Sequence, residues 1–572
     1  MSAEGTGTLV IAYDIGTTGA KTCLYRFPAA GGVELVASAT VEYGIRFLPG
    51  GGAEQDPDDW WRAICSGTGS VLSSASVMTG EVRAAAFCCQ MQGLVLVDSA
   101  GKPVRPAMSY MDQRASDQKR RGIEGGITVA GLNLRKLVPS LIIAGGVSAS
   151  AKDPVWKYQW VREHEPQAFS RVQRWLDAKE YLVAKATGRF AMTPDSANAT
   201  FLYDTRPGRL DARGLGSWSP AMCRLFGVDP AHLPEVVPPA EVVGPLLPAA
   251  AAELGLPPGT PIYGGGGDLS LVGLGSGAVE PGDVHVYMGT SGWVSTVTDR
   301  RLVDTEAMIA SVMGARAGLY NYISEQETSG KCMEWVRDHL VLDEVGAYLG
   351  ARDAAQDPDA RYESLFELLD EAIETVPPGA DGVLFAPWLH GNRSPFEDPN
   401  ARGAFFNLGL NSGKRSMIRA VAEGIALHNR WQLESIRNKT EALGPVRFVG
   451  GGARSRSIAR IMSDVLGEVV ETVSSPQNTG ALGAAILCAY GLGLVGSLAD
   501  AKKLVRPAAI YEPRREFANL YADRFQVFKR FHVRNKPLFA ALNAPARSTS
   551  AGSADATGSA DATGSEFPAS AV

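Results

Sequence analysis

The chain writes one local pattern twice. "LVIAYDIGTTGAKTCLY" (Leu9 to Tyr25) and "VHVYMGTSGWVSTVT" (Val284 to Thr298) each read as a strand, a polar turn built on Gly with Thr or Ser, and a second strand. Leu9, Val10, Ile11 and Tyr13 favour extended backbone, as do Thr22, Cys23, Leu24 and Tyr25 beyond the break at Asp14-Ile15-Gly16-Thr17-Thr18-Gly19. Glycine opens backbone angles closed to other residues. Hydroxyls and free backbone N–H groups at a strand tip, beside one carboxylate, suit a phosphate with its metal ion. An ordinary hairpin uses the same residues, so one copy decides nothing. Two copies, separated by roughly the length of a domain, predict two related α/β domains whose hairpins face one another across a cleft, with a phosphate chain held between them.

Length and composition agree with that division. The 572 residues, 45% apolar and 20% charged, can bury large cores in at least two domains. A formal charge of -6 with Lys and Arg scattered gives no reason to expect a nucleic-acid partner. The best candidate for a membrane span, Leu137 to Val147, is short and holds Pro139 and Gly145-Gly146. No membrane association is expected. The start "MSAEGTG" has no charged segment followed by an apolar one, so no secretion signal is read there. The seven cysteines are odd in number and form no CxxC pair, which argues against a disulfide framework and a zinc cluster and for reduced thiols in the cytoplasm.

The first half alternates β-rich runs with helices such as Asp56 to Ala75, where Asp and Pro mark the start. A Pro- and Ala-rich segment, Leu233 to Pro261, is the clearest composition shift and sets the expected domains at 1–263 and 264–544. Beyond it, helices are expected around Ile418 to Ile436 and in "ARSRSIARIMSDVLG", where Ile458, Ile461, Met462, Val465 and Leu466 recur at helical spacing. The tail 545–572 repeats Ser-Ala-Asp-Ala-Thr-Gly and is expected to be disordered.

Two further elements carry chemistry. In "VRFVGGGARSRSIARIMSDVLG" a strand runs into Gly450-Gly451-Gly452 and then a helix, so a nucleotide can approach the backbone near a helix N-terminus; a tight turn from strand to helix reads the same way. In "IYGGGGDLS" Asp268 follows a strand and four glycines. An uncrowded carboxylate there can accept a proton from a substrate hydroxyl as its oxygen attacks phosphorus, and a turn-capping aspartate is the plainer alternative. Other motifs fail on context. "GLGLVG" (Gly491 to Gly496) follows a helical run instead of a strand and reads as a helix end. No GxxxxGK[ST] occurs near Lys331 or Lys414, and the seven histidines show no HExxH or other ligand spacing.

In order along the chain stand "DIGTTGAK", "AEQDPDDWW", "CCQMQGLVLVD", "SYMDQRA", "WVREHEPQAF", "GGGGDLSLVGLGSG", "YMGTSGW", "PWLHGNRSPFEDPNARGAFFNL", "RAVAEGIAL", "GGGARS" and "GALGAAI". With these the chain resembles the FGGY carbohydrate kinases, the xylulokinase branch most of all, over about Leu9 to Tyr490. The resemblance implies two actin-like α/β domains of the sugar kinase and Hsp70 type, ribonuclease H-like, with ATP and Mg²⁺ in the interdomain cleft and closure on sugar binding. It implies Asp14 and Asp268 at the metal and Thr17 and Thr18 facing the transferring phosphoryl group. It further implies Gly289 and Thr290 at the second phosphate loop, and Gly450, Gly451, Gly452 and Ala453 bordering the nucleotide. Asp268 would be the catalytic base. A homodimer is compatible with it.

The departures fall in the sugar pocket, expected from Met91, Gln92, Asp112, Asp268 and Leu269. Xylulokinases usually carry Met-His-Gly where this chain has Met91-Gln92-Gly93, and Asp-Asn where it has Asp268-Leu269. Gln92 can still exchange hydrogen bonds with hydroxyls and Leu269 cannot. The expected activity is transfer of the ATP γ-phosphoryl group to a ketopentose such as xylulose, or to another ketose, a tetritol or a pentitol. The rival from another class is a nucleotide-operated switch, chaperone or sugar sensor of the same fold that phosphorylates nothing.

Overall fold

The computed structural model describes residues 7–129, 131–341, 369–442 and 444–543. The tail 545–572 lies outside the described residues. Two mixed sheets carry the architecture. In the first, the strand order is Val242–Pro245, Pro261–Tyr263, Val82–Cys89, Gly7–Ile15, Gly19–Pro28, Glu34–Glu42, with Gly266–Gly267 also paired to Val82–Cys89. In the second it is Val303–Asp304, Ile309–Met313, Tyr320–Gln326, Gly292–Thr298, Val284–Met288, Val446–Val449, Val470–Val473, Pro507–Tyr511.

The wiring is duplicated. In each sheet the Gly-Thr hairpin joins two antiparallel strands, a third strand pairs antiparallel with the second, and two later strands run parallel beside the first. The expected pair of related α/β domains is therefore what the chain builds.

The central strand Gly7–Ile15 shows why the fold has layers on both faces. Successive side chains alternate across a strand. Leu9, Ile11, Tyr13 and Ile15 enter a core with Trp60 and Ile64 of the helix Pro57–Ser74, while Val10 and Ala12 enter another with Leu271 and Ile486. A strand buried on both faces reads as a continuous apolar run, as this one does. That helix starts where Asp56 Oδ1 accepts the Asp58 N–H at 3.0 Å, and Ser455 caps Arg456–Leu466 in the same way on Ile458. The core holding Val10 and Ala12 also contains Trp293, Ile323 and Val449, so it joins the two sheets.

Two helices occupy that joint, Asp268–Ser276 and Thr479–Gly491. They cross so closely that a Cβ on Gly275 would stand 1.9 Å from the Thr479 carbonyl oxygen, and one on Gly483 would stand 2.1 Å from that of Leu271. The segment "GLGLVG" closes the second of these helices, as its context suggested. The Pro- and Ala-rich segment is a folded part of the first layer, contributing Val242–Pro245, the helix Pro248–Leu254 and Pro261–Tyr263. The seven cysteines are unpaired, and among the described residues no helix is long and apolar enough to cross a membrane.

Candidate active site

Strand register brings the first group of residues together. Asp14 lies beside Cys88 on the parallel neighbour, and Cys88 lies beside Gly266 on the next strand. Asp14 and the Gly267-Asp268 junction therefore lie at the carboxyl ends of two parallel strands flanking Val82–Cys89, where open α/β sheets place ligands. Across the hairpin Lys21 faces Asp14, its Nζ 3.6 Å from Oδ2, and the same Nζ donates to the Gln477 carbonyl at 2.8 Å.

Both hairpin turns are held from behind, leaving their tips toward a common cleft of about 510 Å³. In the first, the Gly16 N–H bonds the Gly19 carbonyl at 3.0 Å, Tyr43 donates its hydroxyl to the Gly16 carbonyl at 2.5 Å, and Gln55 Nε2 donates to the Thr17 carbonyl at 2.8 Å. In the second, the Gly289 N–H bonds the Ser291 carbonyl at 3.0 Å and Gly330 donates to the Gly289 carbonyl at 2.8 Å. Behind it Tyr287 and Trp293 stack at 4.1 Å. Gly451 and Gly452 form a third wall. A Cβ on Gly451 would meet no protein atom within 4 Å, so this backbone is open to a ligand.

Asp268 is the first residue of its helix, and its Oδ1 accepts the Leu269 N–H at 2.9 Å. Burial, with the charge of Asp14 next in weight, pushes its carboxyl up to about 8. Perturbed carboxylates of this kind gather at sites of proton transfer. Met91 is packed onto Gly267, where a Cβ would come within 2.1 Å of its sulfur. Gln92 holds a left-handed backbone, φ 62°. Lys157 grips that residue by donating to its carbonyl at 2.8 Å, and it also takes the Ser109 carbonyl at 2.7 Å. Asp177 accepts the next N–H, of Gly93, at 3.0 Å. Burial lowers the Lys157 ammonium to about 8.

The rest of this end is charged. Lys152 pairs with Glu327 at 3.0 Å and Arg393 with Glu325 at 2.8 Å, and all four line the cleft. Burial would raise Glu327, yet Lys152 and Arg393 carry its carboxyl below the usual range.

Of the residues expected from the sequence, Asp14, Thr17, Thr18, Met91, Gln92, Asp268, Leu269, Gly289, Thr290, Gly451 and Gly452 all line this cleft. Three expectations need correction. Asp112 is fully buried off the cleft, its oxygens taken by the Ala53 N–H at 2.9 Å, the Arg114 N–H at 3.0 Å and the Arg114 guanidinium at 2.6 Å. Gly450, at φ 92°, serves a close backbone crossing, since a Cβ there would stand 2.6 Å from the Met288 carbonyl oxygen. Ala453 faces the core beneath the turn. Residues the sequence reading passed over include Lys21, Tyr110, Lys152, Glu325, Glu327 and Arg393. Arg393 stands inside the quoted motif "HGNRSPFEDPNARG", and Lys21 inside "DIGTTGAK", so both were within reach of a positional reading.

Asp14 and Asp268 both line the cleft that the two hairpins face. Among the described residues no group of three or more His, Cys, Asp or Glu side chains converges on a metal position. One or two carboxylates with phosphate oxygens and water as the remaining ligands is the arrangement Mg²⁺ commonly takes, and the donor set fits it.

Comparison with known proteins agrees with this layout. Residues 9–275 match the N-terminal domain, and residues 284–492 the C-terminal domain, of the FGGY family of carbohydrate kinases. The xylulose kinase of Bacillus subtilis is 26% identical over 537 residues, covering 94% of this chain and 99% of that protein. The gluconokinase of the same organism is also 26% identical, over 525 residues, 91% of this chain and 94% of its own. The crystal structure of a ligand-bound xylulose kinase from Lactobacillus acidophilus superposes with a TM-score of 0.78 at 22% identity, covering 94% of this chain and all of that one.

Proposed function

The chain belongs to the FGGY family of carbohydrate kinases and phosphorylates a sugar with ATP, and from that premise we propose a neutral ketopentose such as D-xylulose as its substrate. Charge at the sugar end of the cleft supports this reading. Lys152 and Arg393 each already hold a carboxylate, so an aldonate such as gluconate would have to compete with Glu327 or Glu325 for its counter-charge. A neutral substrate meets hydrogen-bonding groups instead: Gln92 and Tyr110 line the same space.

The chemistry assigns a role to each wall. The substrate hydroxyl gives its proton to the ionised Asp268 carboxylate while its oxygen forms a bond to the γ-phosphorus; the bond from phosphorus to the bridging oxygen of ADP breaks on the opposite side. Thr17, Thr18, Gly289 and Thr290 offer hydroxyl and backbone donors to the transferring group, and Lys21 adds a cation at the first hairpin. Gly451 and Gly452 receive the nucleoside. Mg²⁺ would be held by Asp14 and Asp268, where it would screen phosphate charge.

Leu269 and Gln92 support a second reading, a kinase for another ketose or a polyol, because Leu269 withdraws a polar contact beside the base. A coupled ADP-release assay over D-xylulose, other ketoses, tetritols, pentitols and gluconate separates the readings. Xylulose as the best substrate supports the first and a polyol the second. Gluconate as the best substrate overturns both, and so does no turnover with any member.

A further inference from the structure

One buried carboxylate beneath the site has no part in the chemistry above. Asp195, in "MTPDSANAT", is 2% exposed and does not line the cleft. Four donors reach its two oxygens. Oδ1 accepts the Thr193 hydroxyl at 2.5 Å and the Ser196 N–H at 2.9 Å. Oδ2 accepts the Gly267 N–H at 2.7 Å and the Ser270 hydroxyl. Gly267 and Ser270 stand on either side of Asp268-Leu269.

We propose that Asp195 is a positioning residue for the reaction: by gripping the backbone just before Asp268 and the side chain just after Leu269, it fixes where the base presents its oxygens. The approach is close enough that a Cβ on Gly266 would come within 3.0 Å of Oδ2. The network also has a direction. Lys179 Nζ, paired with Glu180 at 2.6 Å, donates to the Thr193 oxygen at 2.7 Å, so the single hydroxyl hydrogen of Thr193 is left for Asp195. A carboxylate accepts all four donors at once. An asparagine there has one oxygen, and its NH2 would confront either Thr193 and Ser196 or the Gly267 N–H, leaving a buried donor unpaired even if Ser270 turns its hydroxyl to the Gly267 carbonyl, 3.1 Å away. Relaxation of that conflict moves the strand end that carries Asp268. Small displacements of a reacting group reduce rate far more than they reduce binding of the distant nucleotide.

The inference rests on Asp268 being the base, and the test keeps the two apart. Asp195→Asn, Ser270→Ala, Thr193→Val and Thr193→Ser are compared with the wild type for kcat, KM for the best sugar, KM for ATP and nucleotide sites per chain by calorimetry. In Asp195→Asn kcat is expected to fall about 10- to 100-fold with KM for ATP within about twofold and nucleotide sites undiminished. Ser270→Ala loses about three- to tenfold in kcat, and Thr193→Ser keeps what Thr193→Val loses. A kcat loss that only tracks the loss of nucleotide sites would mean a folding role, and normal kcat in both Asp195→Asn and Ser270→Ala would mean no role; either overturns the proposal. Should Asp195→Asn fail to fold, Ser270→Ala and the Thr193 pair decide by the same criteria. Failure of the base assignment shows separately, as an Asp268→Asn variant with normal turnover.

Discussion

At the end of the cleft proposed for the nucleotide the groups on offer are mostly backbone, exposed at the glycine turns around Gly16, Gly289, Gly451 and Gly452. At the sugar end they are side chains from separate segments: Gln92, Tyr110, Lys152, Asp268, Glu325 and Arg393. The difference sets what evolution can tune. A backbone N–H survives substitution of its neighbours, whereas a side-chain contact changes with its residue, so the side-chain end is the one a substitution can re-letter for another sugar. In the reading proposed above, Gln92 and Leu269 are such positions.

As the proposed base, Asp268 would serve both ends, and its loss should produce the largest effect. Asp268→Asn preserves size and removes the proton acceptor, so kcat is expected to fall by about 10² to 10⁴ with ATP binding retained. Steady-state kinetics with calorimetric nucleotide titration measure both. A variant with near-normal turnover would reduce Asp268 to a helix-initiating residue.

The pH dependence should follow the same carboxyl. A base works when ionised, so kcat/KM for the sugar is expected to rise about tenfold per pH unit on the acid limb. Its apparent pKa should lie well above the ordinary 3.8 and no higher than about 8, since a bound cation favours the charged form. Stability of the ligand-free chain should run the other way. The folded state holds this proton more tightly than the unfolded state does, so the Asp268 contribution is full below about pH 4 and is lost as pH rises toward 8. Comparing melting temperatures across that range, Asp268→Asn should flatten this part of the slope; equal slopes would contradict the buried acid.

Gly451→Ala probes the backbone end alone. Its Cβ meets no protein atom within 4 Å, so the melting temperature should hold. The methyl group instead occupies ligand space, and KM for ATP is expected to rise about fivefold, the equivalent of roughly 1 kcal/mol of crowding, with KM for the sugar unchanged. A rise in the sugar KM instead would break the separation of the two ends.

The same contrast explains what the sequence could disclose. Phosphate turns are local, because glycine and threonine must be adjacent for the backbone to close and offer donors, and so both hairpins and the Gly451-Gly452 turn were readable. The place of Asp268 on the cleft was legible because it follows four glycines at a strand end. The duplicated sheet followed from the duplicated hairpin. Asp112 was misread since its neighbour in a motif does not reveal which donors claim it, although Arg114 stood only two residues away. Gly450 was misread because three successive glycines look alike in one dimension, yet only Gly450 takes the left-handed angle against Met288. Lys157, Asp177 and Asp195 reach the site from distant segments as buried partners, and no local pattern announces such a role.

Leu269→Asn tests whether the sugar end can be re-lettered by one residue. Restoring an amide beside the base should raise kcat/KM for D-xylulose relative to a pentitol by about three- to tenfold, a discrimination typical of one polar contact. Competition between the two substrates measures the ratio directly. No change would mean that this side chain does not meet the substrate.

The smallest effect should come from the charge pairs, and it bears most directly on the choice between a ketose and an aldonate. Lys152 and Glu327 are about one-fifth exposed, at 18% and 22%, so their attraction is partly screened. Glu327→Gln keeps the shape and leaves Lys152 with a neutral neighbour, giving a substrate carboxylate a cation it does not have to win from a competitor. The gain is limited by the same screening to about 1 kcal/mol or less. The ratio of kcat/KM for gluconate to that for D-xylulose should therefore rise about two- to fivefold. Salt should erode the gain, because screening weakens a part-exposed pair. A ratio that stays fixed in Glu327→Gln, at low salt as well as high, would mean that the substrate does not reach Lys152, and discrimination against an aldonate would then rest on Gln92 and Leu269.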